Sequence, residues 1–358
     1  MTTKINLTLD EVFRNSPIGS TNRSIANTLY GINHRQVANM TPSNKEVFGL
    51  TFMTRPALNL TTQNVRADRR LIPMLTLEQA HYQRYIRCML DPRLNYVDRS
   101  FECSLIDHDN AFIPLLSNQI QSLSGWPDAS LDTFTSAKGV YNEQFSIVDS
   151  IIDIFWSYDM TATFRSVAGD PITAMIYSWL LYISNVYKGI MVPYMDMIAL
   201  DEIDYQTRIY RLVLDRTKRR VVKLACTGVS VPIAINIGSS FNFEADKVYN
   251  QAYDTIEVTF RNSGARYNDP IIVEDFNDLV GIFCESMKDA TRKSNMQKID
   301  ISVLDFFNFQ GYPRIDPSSW DLEWYVYKNT YDNVMRAFER QYKALYTGNT
   351  SPPDYRNY

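Results

Sequence analysis

The sequence predicts an α+β fold, in which a β-rich sandwich or barrel carries one packed helix and is extended at both ends. Three observations predict it. One amphipathic helix spans Asp170 to Gly189. Segments in which apolar and polar residues alternate lie on both sides of this helix, as expected of half-buried strands. Polar and turn-forming residues dominate the first 70 residues and the last 12, which predicts extended ends.

The helix has sequence signals at both of its boundaries. Asp170 is the predicted N-cap, and Pro171 fits the first helical position, where a missing N–H loses no partner. Lys188 suits the negative end of the helix dipole, and Gly189 suits the left-handed residue that ends a helix. Apolar residues at helical spacing predict one buried stripe, which consists of Ile172, Met175, Ile176, Trp179, Leu180, Ile183, Val186 and Tyr187.

The segment before this helix, residues 111–168, is predicted to be rich in β-structure. FSIVDSIIDIFWSYD and MTATFRSVAG resemble two paired strands, so we expect a long hairpin over about 145–168. In the first of these strands, apolar residues alternate with polar ones, and they are Ile152, Ile154, Trp156 and Tyr158.

The segment after the helix contains a second set of predicted strands. YQTRIYRLVLD and RRVVKLACTGV flank a polar turn at 216–218, which indicates a hairpin. Pro232 and Gly238 are expected to interrupt a crossing segment. DTIEVTFR predicts a half-buried strand, whose inward face carries Ile256, Val258 and Phe260.

Further helices are predicted nearer the two ends of the chain. Residues 76–91 carry an apolar stripe, with Thr76 and Gln79 as a capping box. Residues 271–290 are also predicted to be helical, and so is the segment from Ser319, its candidate cap, to the end of KALY.

These boundaries divide the chain into three predicted regions. Residues 1–110 form an N-terminal arm with a small helical and extended region. Residues 111–275 form the β domain, and residues 276–358 form a C-terminal helical extension and tail.

The composition is that of an ordinary globular protein, with 45% hydrophobic and 21% charged residues. Aromatic residues make up 13%, which suits either a large β-rich core or enrichment at interfaces. The net charge of −4 gives no overall basic signature for nucleic-acid binding. The longest apolar run is too short to span a bilayer, and MTTKINLTLDEVF lacks the apolar segment of a signal peptide, so we expect neither feature.

No residue pattern of known catalytic chemistry occurs in the sequence. The histidines make no paired metal spacing, and we interpret Asp107-His108-Asp109 as a surface loop, because adjacent residues rarely converge on one ion. The four cysteines match no zinc or redox spacing, which indicates free thiols in a reducing compartment or on a virion surface. We therefore expect no catalytic residue, no cofactor and no metal, and hence no enzyme.

The main basic cluster is interleaved with acidic residues, which favours ion pairing between subunits over phosphate binding. It consists of Arg66, Arg69, Arg70, Arg84, Arg87 and Arg93. A second basic group at 216–220 is interpreted as an ordinary solvated turn.

With these elements in order, residues 111 to about 270 resemble the tail-tube fold of contractile-tailed bacteriophages. The resemblance rests on a strand region and hairpin, a helix with Trp179, a following hairpin, a TG…P turn and a D.I.VTF strand. TFMTRPALNL and YIRCMLDPRLN also resemble segments of virion proteins from large myophages. The later motifs comprise Tyr205, Ile209, Leu214, Asp215, Arg220 and Val221, then Thr227, Gly228 and Pro232, then Asp254, Ile256, Val258, Thr259 and Phe260.

The resemblance implies a ring, expected to be hexameric, in which sheets of neighbouring subunits join into a barrel around a lumen for DNA passage. The long hairpin would reach the adjacent subunit or ring. Exposed Lys and Arg in a DNA-filled lumen would bind phosphates, so we expect them on outer or inter-ring faces. The extra residues at both ends resemble those of tube-initiating proteins at the baseplate. A non-catalytic neck or head–tail connector, a baseplate adaptor, or an enzyme of the tail apparatus are the alternatives.

The expected partners are other copies of the chain and other tail, baseplate or sheath proteins. No membrane and no sequence-specific nucleic acid is expected, since DNA would only pass through the lumen. The expected location is the virion tail, and the host cytoplasm during assembly. The residues that we expect to support assembly lie on the predicted hairpin, helix and strand: Ile154, Trp156, Trp179, Ile256, Val258 and Phe260.

Overall fold

A computed structural model of the chain describes residues 48–94, 103–215, 217–241, 245–246 and 255–346. The predicted arm before residue 48, the tail after residue 346 and Asp254 lie outside these ranges. The strands are β1 (Phe48–Met53), β2 (Ile120–Ser124), β3 (Thr133–Thr135), β4 (Ser146–Val148), β5 (Ile154–Arg165), β6 (Ile209–Leu214), β7 (Val221–Ile235), β8 (Thr255–Tyr267), β9 (Met296–Lys298), β10 (Tyr312–Ile315) and β11 (Leu322–Tyr327).

Helical segments connect and cover these strands. The α-helices are α1 (Thr62–Arg66), α2 (Tyr82–Leu90), α3 (Pro114–Gln119), α4 (Pro171–Tyr187), α5 (Met195–Ala199), α6 (Pro270–Phe283), α7 (Asp289–Asn295) and α8 (Lys328–Tyr346). Short 3₁₀ turns lie at Ile72–Leu75, Ile237–Phe241, Glu285–Met287 and Ile301–Phe307.

Six strands form one antiparallel sheet in the order β1-β6-β7-β8-β5-β2, and this sheet curls into a nearly closed barrel. The two edges approach each other where Thr54, just after β1, bridges to Phe112, just before α3. The predicted α+β fold, with a β-rich barrel and a packed helix, is therefore confirmed. One edge strand, β1, comes from residues 48–53, ahead of the predicted β domain.

The predicted long hairpin over 145–168 is wrong, because residues 154–165 form the single strand β5. Its second half pairs with β2 and its whole length lies beside β8. The sequence around Asp159 and Met160 contains no turn-forming glycine or proline, so nothing interrupts the strand there. A smaller hairpin forms upstream instead, from β3 and β4.

The predicted hairpin after the helix is confirmed as the antiparallel pair β6 and β7, in which Tyr210 lies opposite Cys226. β7 continues through Pro232 to Ile235, so the interruption predicted at Pro232 is wrong, whereas Gly238 lies in the 3₁₀ turn that follows the strand. The ladder tolerates Pro232 because its register with β8 shifts there. The strand predicted in DTIEVTFR is confirmed and extends to Tyr267.

The predicted central helix is confirmed as α4, and Gly189 ends it with a left-handed φ of 69°. Asp170 is the N-cap residue as predicted, but its φ of 49° is left-handed and its side chain makes no cap hydrogen bond. The buried face is also rotated from the predicted stripe. Tyr187 is 92% exposed, whereas Leu181, Tyr182 and Asn185 are buried.

The described part of the molecule contains two large hydrophobic clusters and a third, small one of Ile299, Phe307 and Val326 near the C-terminal helix. The first joins α4 to α2 and to the β5 and β8 halves of the sheet. The second joins β6 and β7 to α6 and to the C-terminal strands. Neighbouring residues on β1 divide between them, since Met53 belongs to the first cluster and Phe52 to the second. Successive strand residues point to opposite faces, so β1 connects both clusters.

The two terminal helix predictions need correction. α2 begins at Tyr82, with His81 Nδ1 accepting from the N–H of Gln83, so Thr76 and Gln79 form no capping box. The C-terminal segment starts as strand β11, and α8 begins only at Lys328. The aromatic run Leu322–Tyr327 pairs with β10 and β9, because β-propensity outweighs helical spacing in this segment. Ser319 lies in the preceding turn and donates to Asp316.

Candidate assembly surface

Five of the six residues expected to support assembly lie inside the subunit. Trp179 is fully buried and donates from Nε1 to the Tyr205 carbonyl at 3.0 Å. The others form part of the sheet's interior, and they are Ile154, Ile256, Val258 and Phe260. Any contribution of these five to assembly would act through holding the sheet in shape. Trp156, with 48% of its surface exposed, can contact another chain directly.

An unpaired strand edge runs beside Trp156. β2 pairs with residues 161–164 of β5, and β8 lies on the other side of the strand. Gly125 lies against Asp159 and Met160, and among the described residues no strand pairs with the outer edge of Ile154–Tyr158. Phe155 is also exposed on this stretch. An open edge of this kind offers unpaired backbone N–H and C=O groups to another chain.

The chain between β2 and β5 stands away from the sheet, and we term residues 126–153 the projecting segment. It contains the β3–β4 hairpin, and most of its side chains are exposed. Monomeric proteins seldom expose many large apolar side chains on one segment, so this surface is typical of an interface. The exposed apolar residues are Leu131, Phe134, Val140, Tyr141, Phe145, Ile147, Val148, Ile151 and Ile152.

Two contacts fix the base of the projecting segment. Gly125 has a φ of 100°, and a Cβ there would lie 2.5 Å from the Asp159 carbonyl oxygen, so only glycine fits without displacement. Tyr267 at the end of β8 donates its hydroxyl to the Pro127 carbonyl at 2.6 Å, and its ring packs against Trp126.

A second apolar surface follows α4, over residues 187–203. Asn59 and Asn64 both donate to the Val192 carbonyl, and Arg93 pairs with Asp196, so the segment is held on the subunit. Its exposed side chains are Tyr187, Ile190, Val192, Met195, Ile198, Leu200 and Ile203. This surface is a second place where another chain could pack.

The main basic cluster mostly serves contacts within the subunit. Arg84 and Arg87 are buried and donate to backbone carbonyls, for example from Arg87 Nε to Leu60 at 2.8 Å. Arg70 and Arg93 bind carboxylates of their own chain. The predicted ion pairing between subunits would therefore fall to the exposed Arg66 and Arg69.

Asp107 and Asp109 connect their loop to the C-terminal strands. The Tyr312 hydroxyl donates to Asp107 at 2.8 Å, and the Tyr327 hydroxyl donates to Asp109 at 2.6 Å. The His108 carbonyl accepts from Arg55. The described residues contain no group of three or more side chains arranged to hold a metal ion.

The four cysteines are buried and lie outside any disulfide. Burial raises the pKa of Cys88 to about 11 and that of Cys226 to about 12, so both stay protonated near neutral pH. In the part of the chain that the structure describes, no helix combines the length and the apolar character needed to cross a bilayer.

A barrel-like sheet with an open strand edge and broad exposed apolar surfaces is typical of a subunit of a larger assembly. A family model described as "Putative phage tail tube protein" matches residues 3–339. The chain belongs to this family, and it is a structural protein of the phage tail. The resemblance seen in the sequence is thereby confirmed.

Comparison with solved structures gives low overall similarity. The anti-feeding prophage cap (AFP tube terminating cap) has 12% identity and a TM-score of 0.28, covering 44% of this chain and 83% of its own. The sheath/tube terminator of the PVC extracellular contractile injection system has 14% identity and a TM-score of 0.26, and the match covers 45% of this chain and 89% of that one. The PVC sheath-tube complex in its extended state has 15% identity and a TM-score of 0.28, and the match covers 44% of this chain and 83% of that one. Comparison with curated proteins gives no match.

Proposed function

We propose that copies of this chain form a ring, hexameric as the tail-tube resemblance implies, that surrounds a lumen for DNA passage. The ring would belong to the tail tube itself or to its baseplate-proximal initiator. The observation that carries the proposal is the open edge of β5 at Ile154–Tyr158, which lies at the base of an exposed apolar segment. The role is structural and involves no catalysis and no cofactor.

The open edge supports the ring because neighbouring subunits that together close a barrel would pair the free backbone N–H and C=O groups of this edge. A neighbouring strand beside Ile154–Tyr158 would pair the backbone groups that β2 leaves free. Such contacts are heterologous, since each copy offers one edge and receives another, and a rotation that closes produces a ring. Trp156 and Phe155 would then be covered by the neighbour.

The surface over residues 187–203 supports contact with a different tail protein. It lies after α4 and presents exposed apolar side chains such as Met195 and Leu200. A ring that used only the β5 edge would leave this surface in water. We assign it to a tail, sheath or baseplate partner, with assembly taking place in the host cytoplasm before the virion is complete.

The three-region division fits this role. The β domain at 111–275 would build the ring wall, while the regions at 1–110 and 276–358 would contact neighbouring levels of the tail. β1 is the exception in the first region, because Phe48–Met53 pairs with β6 and so belongs to the sheet that would build the ring wall.

Electron-microscopy class averages of the purified protein, with mass photometry alongside, test the proposal. Six-fold rings or tubes with a central hole support it, and tube length separates a self-stacking subunit from an initiator. Rings without a continuous lumen would instead favour the neck, head–tail connector or adaptor alternative. A chain that stays monomeric both alone and with its co-expressed tail proteins would contradict the proposal.

A further inference from the structure

We propose that the projecting segment of one copy docks on the basic turn of a second copy within the same ring. The basic turn comprises residues 217–223, which connect β6 to β7 and include the first three residues of β7. This inference rests on the proposed ring and names the two surfaces that meet there. Its partner is another copy of this chain, and the contact combines opposite charge with apolar burial.

The projecting segment is acidic as well as apolar. Its 28 residues include one lysine, Lys138, and five exposed carboxylates. The projecting segment would therefore supply the negative charge of the contact. The carboxylates are Asp128, Asp132, Glu143, Asp149 and Asp153.

Two of these carboxylates face each other across the small hairpin. Thr133 pairs with Val148, and the N–H of Asp149 donates to the Asp132 carbonyl at 3.0 Å, so the two aspartates are cross-strand neighbours. Like charges directly opposite each other destabilise a strand pair. A cationic partner surface would remove this repulsion, whereas in the isolated chain it persists.

The basic turn has the complementary character. Lys218, Arg219, Arg220 and Lys223 are exposed. The Asp215 carboxylate accepts from the backbone N–H groups of Arg219 and Arg220, and Asp300 interacts with Arg219, so four cations outnumber two nearby carboxylates. Val222 is exposed among these cations, and Lys218 Nζ lies 4.6 Å from the centre of the Phe48 ring. The turn therefore offers positive charge beside apolar surface. Lys218, Arg219 and Arg220 precede β7 at the end of the sheet, whereas Lys223 lies within β7 opposite Val213.

The two surfaces lie at the same end of the sheet. Ile154, where β5 begins, pairs with Ala265, which pairs in turn with Thr227. From Thr227, β7 runs back to Val221 and into the basic turn. Rotation about a ring axis keeps this end of every copy on the same face of the ring. The projecting segment of one copy can thus meet the turn of its neighbour without crossing to the next ring.

The projecting segment is long enough to reach a neighbour. Its tip lies near Gly139, where the N–H of Gly139 donates to the Glu143 carbonyl. The chain from this tip to Asp153 spans at most about 45 Å when extended, which exceeds the width of a few paired strands.

A charge exchange tests the contact in the full chain. Asp132→Lys with Asp149→Lys replaces one like-charged pair by another, so the hairpin itself should change little. We expect the fraction of protein in rings, measured by mass photometry, to fall about tenfold, because like charges would then meet across the interface. Lys218→Glu with Arg219→Glu should cause a similar loss.

Combining all four substitutions restores opposite charges and should recover most of the ring fraction. Lys293→Glu, which changes an exposed lysine on α7 outside both surfaces, is the matched control and should assemble normally. Ring assembly that is insensitive to either charge reversal, or a combined variant that does not recover, would overturn the inference.

The salt dependence of the wild-type ring gives a second readout that needs no substitution. Charge attraction weakens with ionic strength, so the ring fraction should fall between about 50 and 500 mM salt. A wild-type ring fraction that stays constant over this range also overturns the inference. If the inference fails through insensitivity to charge reversal or to salt, the wild-type protein still forms rings. If the proposed function fails, the wild-type protein forms no rings.

Discussion

Trp179 shows how one residue connects the central helix to the sheet. Its side chain is fully buried among α4, β5 and β8 residues, and its only polar atom donates to the Tyr205 carbonyl. The hydrogen bond fixes the ring in one orientation, which satisfies the indole N–H inside the core. The sequence predicted this burial because Trp179 lies on the apolar stripe of the helix.

Trp179→Ala is expected to lower the free energy of unfolding by about 3–5 kcal/mol, because it leaves a large cavity in the first cluster. Trp179→Phe is the matched control, since it keeps most of the buried volume and loses the hydrogen bond to Tyr205. Urea unfolding of both variants measures the difference. A loss below about 1 kcal/mol for the alanine variant would contradict the burial of this ring.

Asp68 predicts a specific pH dependence of stability. The Arg70 guanidinium binds it through three hydrogen bonds, and Asn185 donates to it at 2.8 Å. These contacts hold the pKa of its carboxyl well below the ordinary 3.8. A depressed folded-state pKa means that the stabilisation is complete above the unfolded pKa. It is then lost as the pH falls below 3.8 toward the folded value.

Asp68→Asn should therefore destabilise the protein at pH 7, and the difference from wild type should shrink as the pH falls below 3.8. We expect a loss at neutral pH of about 1–3 kcal/mol, the usual range for a hydrogen-bonded charged group. Thermal unfolding across pH measures it. Asp201→Asn is the control, because Asp201 is exposed and its left-handed φ of 55° suits asparagine. A difference that does not depend on pH would contradict this role of Asp68.

At the scale of elements, β5 shows that the sequence predicts the presence of a strand but does not predict its pairing partner. Alternation around Ile154 predicted a strand, and that strand exists. The predicted pairing failed, because period-two alternation identifies a strand without identifying its partner. β5 pairs with β8, about 100 residues further along the chain, and long-range pairing leaves no local pattern.

The exit of the chain from β2 depends on Gly125. Gly125→Ala should lower the free energy of unfolding by about 1–3 kcal/mol, because the left-handed backbone and the clash with the Asp159 carbonyl both oppose a Cβ. Gly169→Ala is a matched control, since Gly169 has a φ of 86° but a Cβ added there would meet no atom within 4 Å. Urea unfolding should show a larger loss at Gly125. Equal losses would mean that the contact with Asp159 contributes nothing.

Substitutions at the β5 edge can distinguish an effect on assembly from an effect on folding. Trp156→Ser should leave the unfolding free energy nearly unchanged and lower the ring fraction, because Trp156 is half exposed on the open edge. Ile154→Asp should lower both, since it places a charge at a site that is 4% exposed. Ile282→Ser, at an exposed apolar residue of α6, is the control for loss of surface hydrophobicity. Mass photometry and urea unfolding give the two readouts, and normal ring formation by the Trp156 variant would contradict a role for this edge.

At the scale of the whole molecule, local patterns were sufficient for the fold class and most elements. The helix α4, the β6–β7 hairpin and β8 each carry periodicity or turn residues in one continuous segment. The place of β1 in the sheet was not predicted, because this short strand pairs with residues far away in the sequence. Thr51, for example, lies opposite Arg211, 160 residues further along the chain. The β11 strand was mistaken for helix because its aromatic residues satisfy either spacing.

The candidate assembly surface was only partly predictable for a related reason. The sequence identifies apolar residues, but burial depends on which of them the folded chain covers. Trp156 and Trp179 look alike in the sequence, yet one lies on an open edge and the other in the core. The exposed surface over residues 187–203 follows α4 directly and carries no signal that distinguishes it from a core segment.

A cryo-electron-microscopy reconstruction of the assembled protein tests the central claim most directly. We predict a ring with a central lumen in which the outer edge of Ile154–Tyr158 forms backbone hydrogen bonds with a neighbouring copy. A ring in which this edge faces solvent, or an assembly without a lumen, would contradict the account.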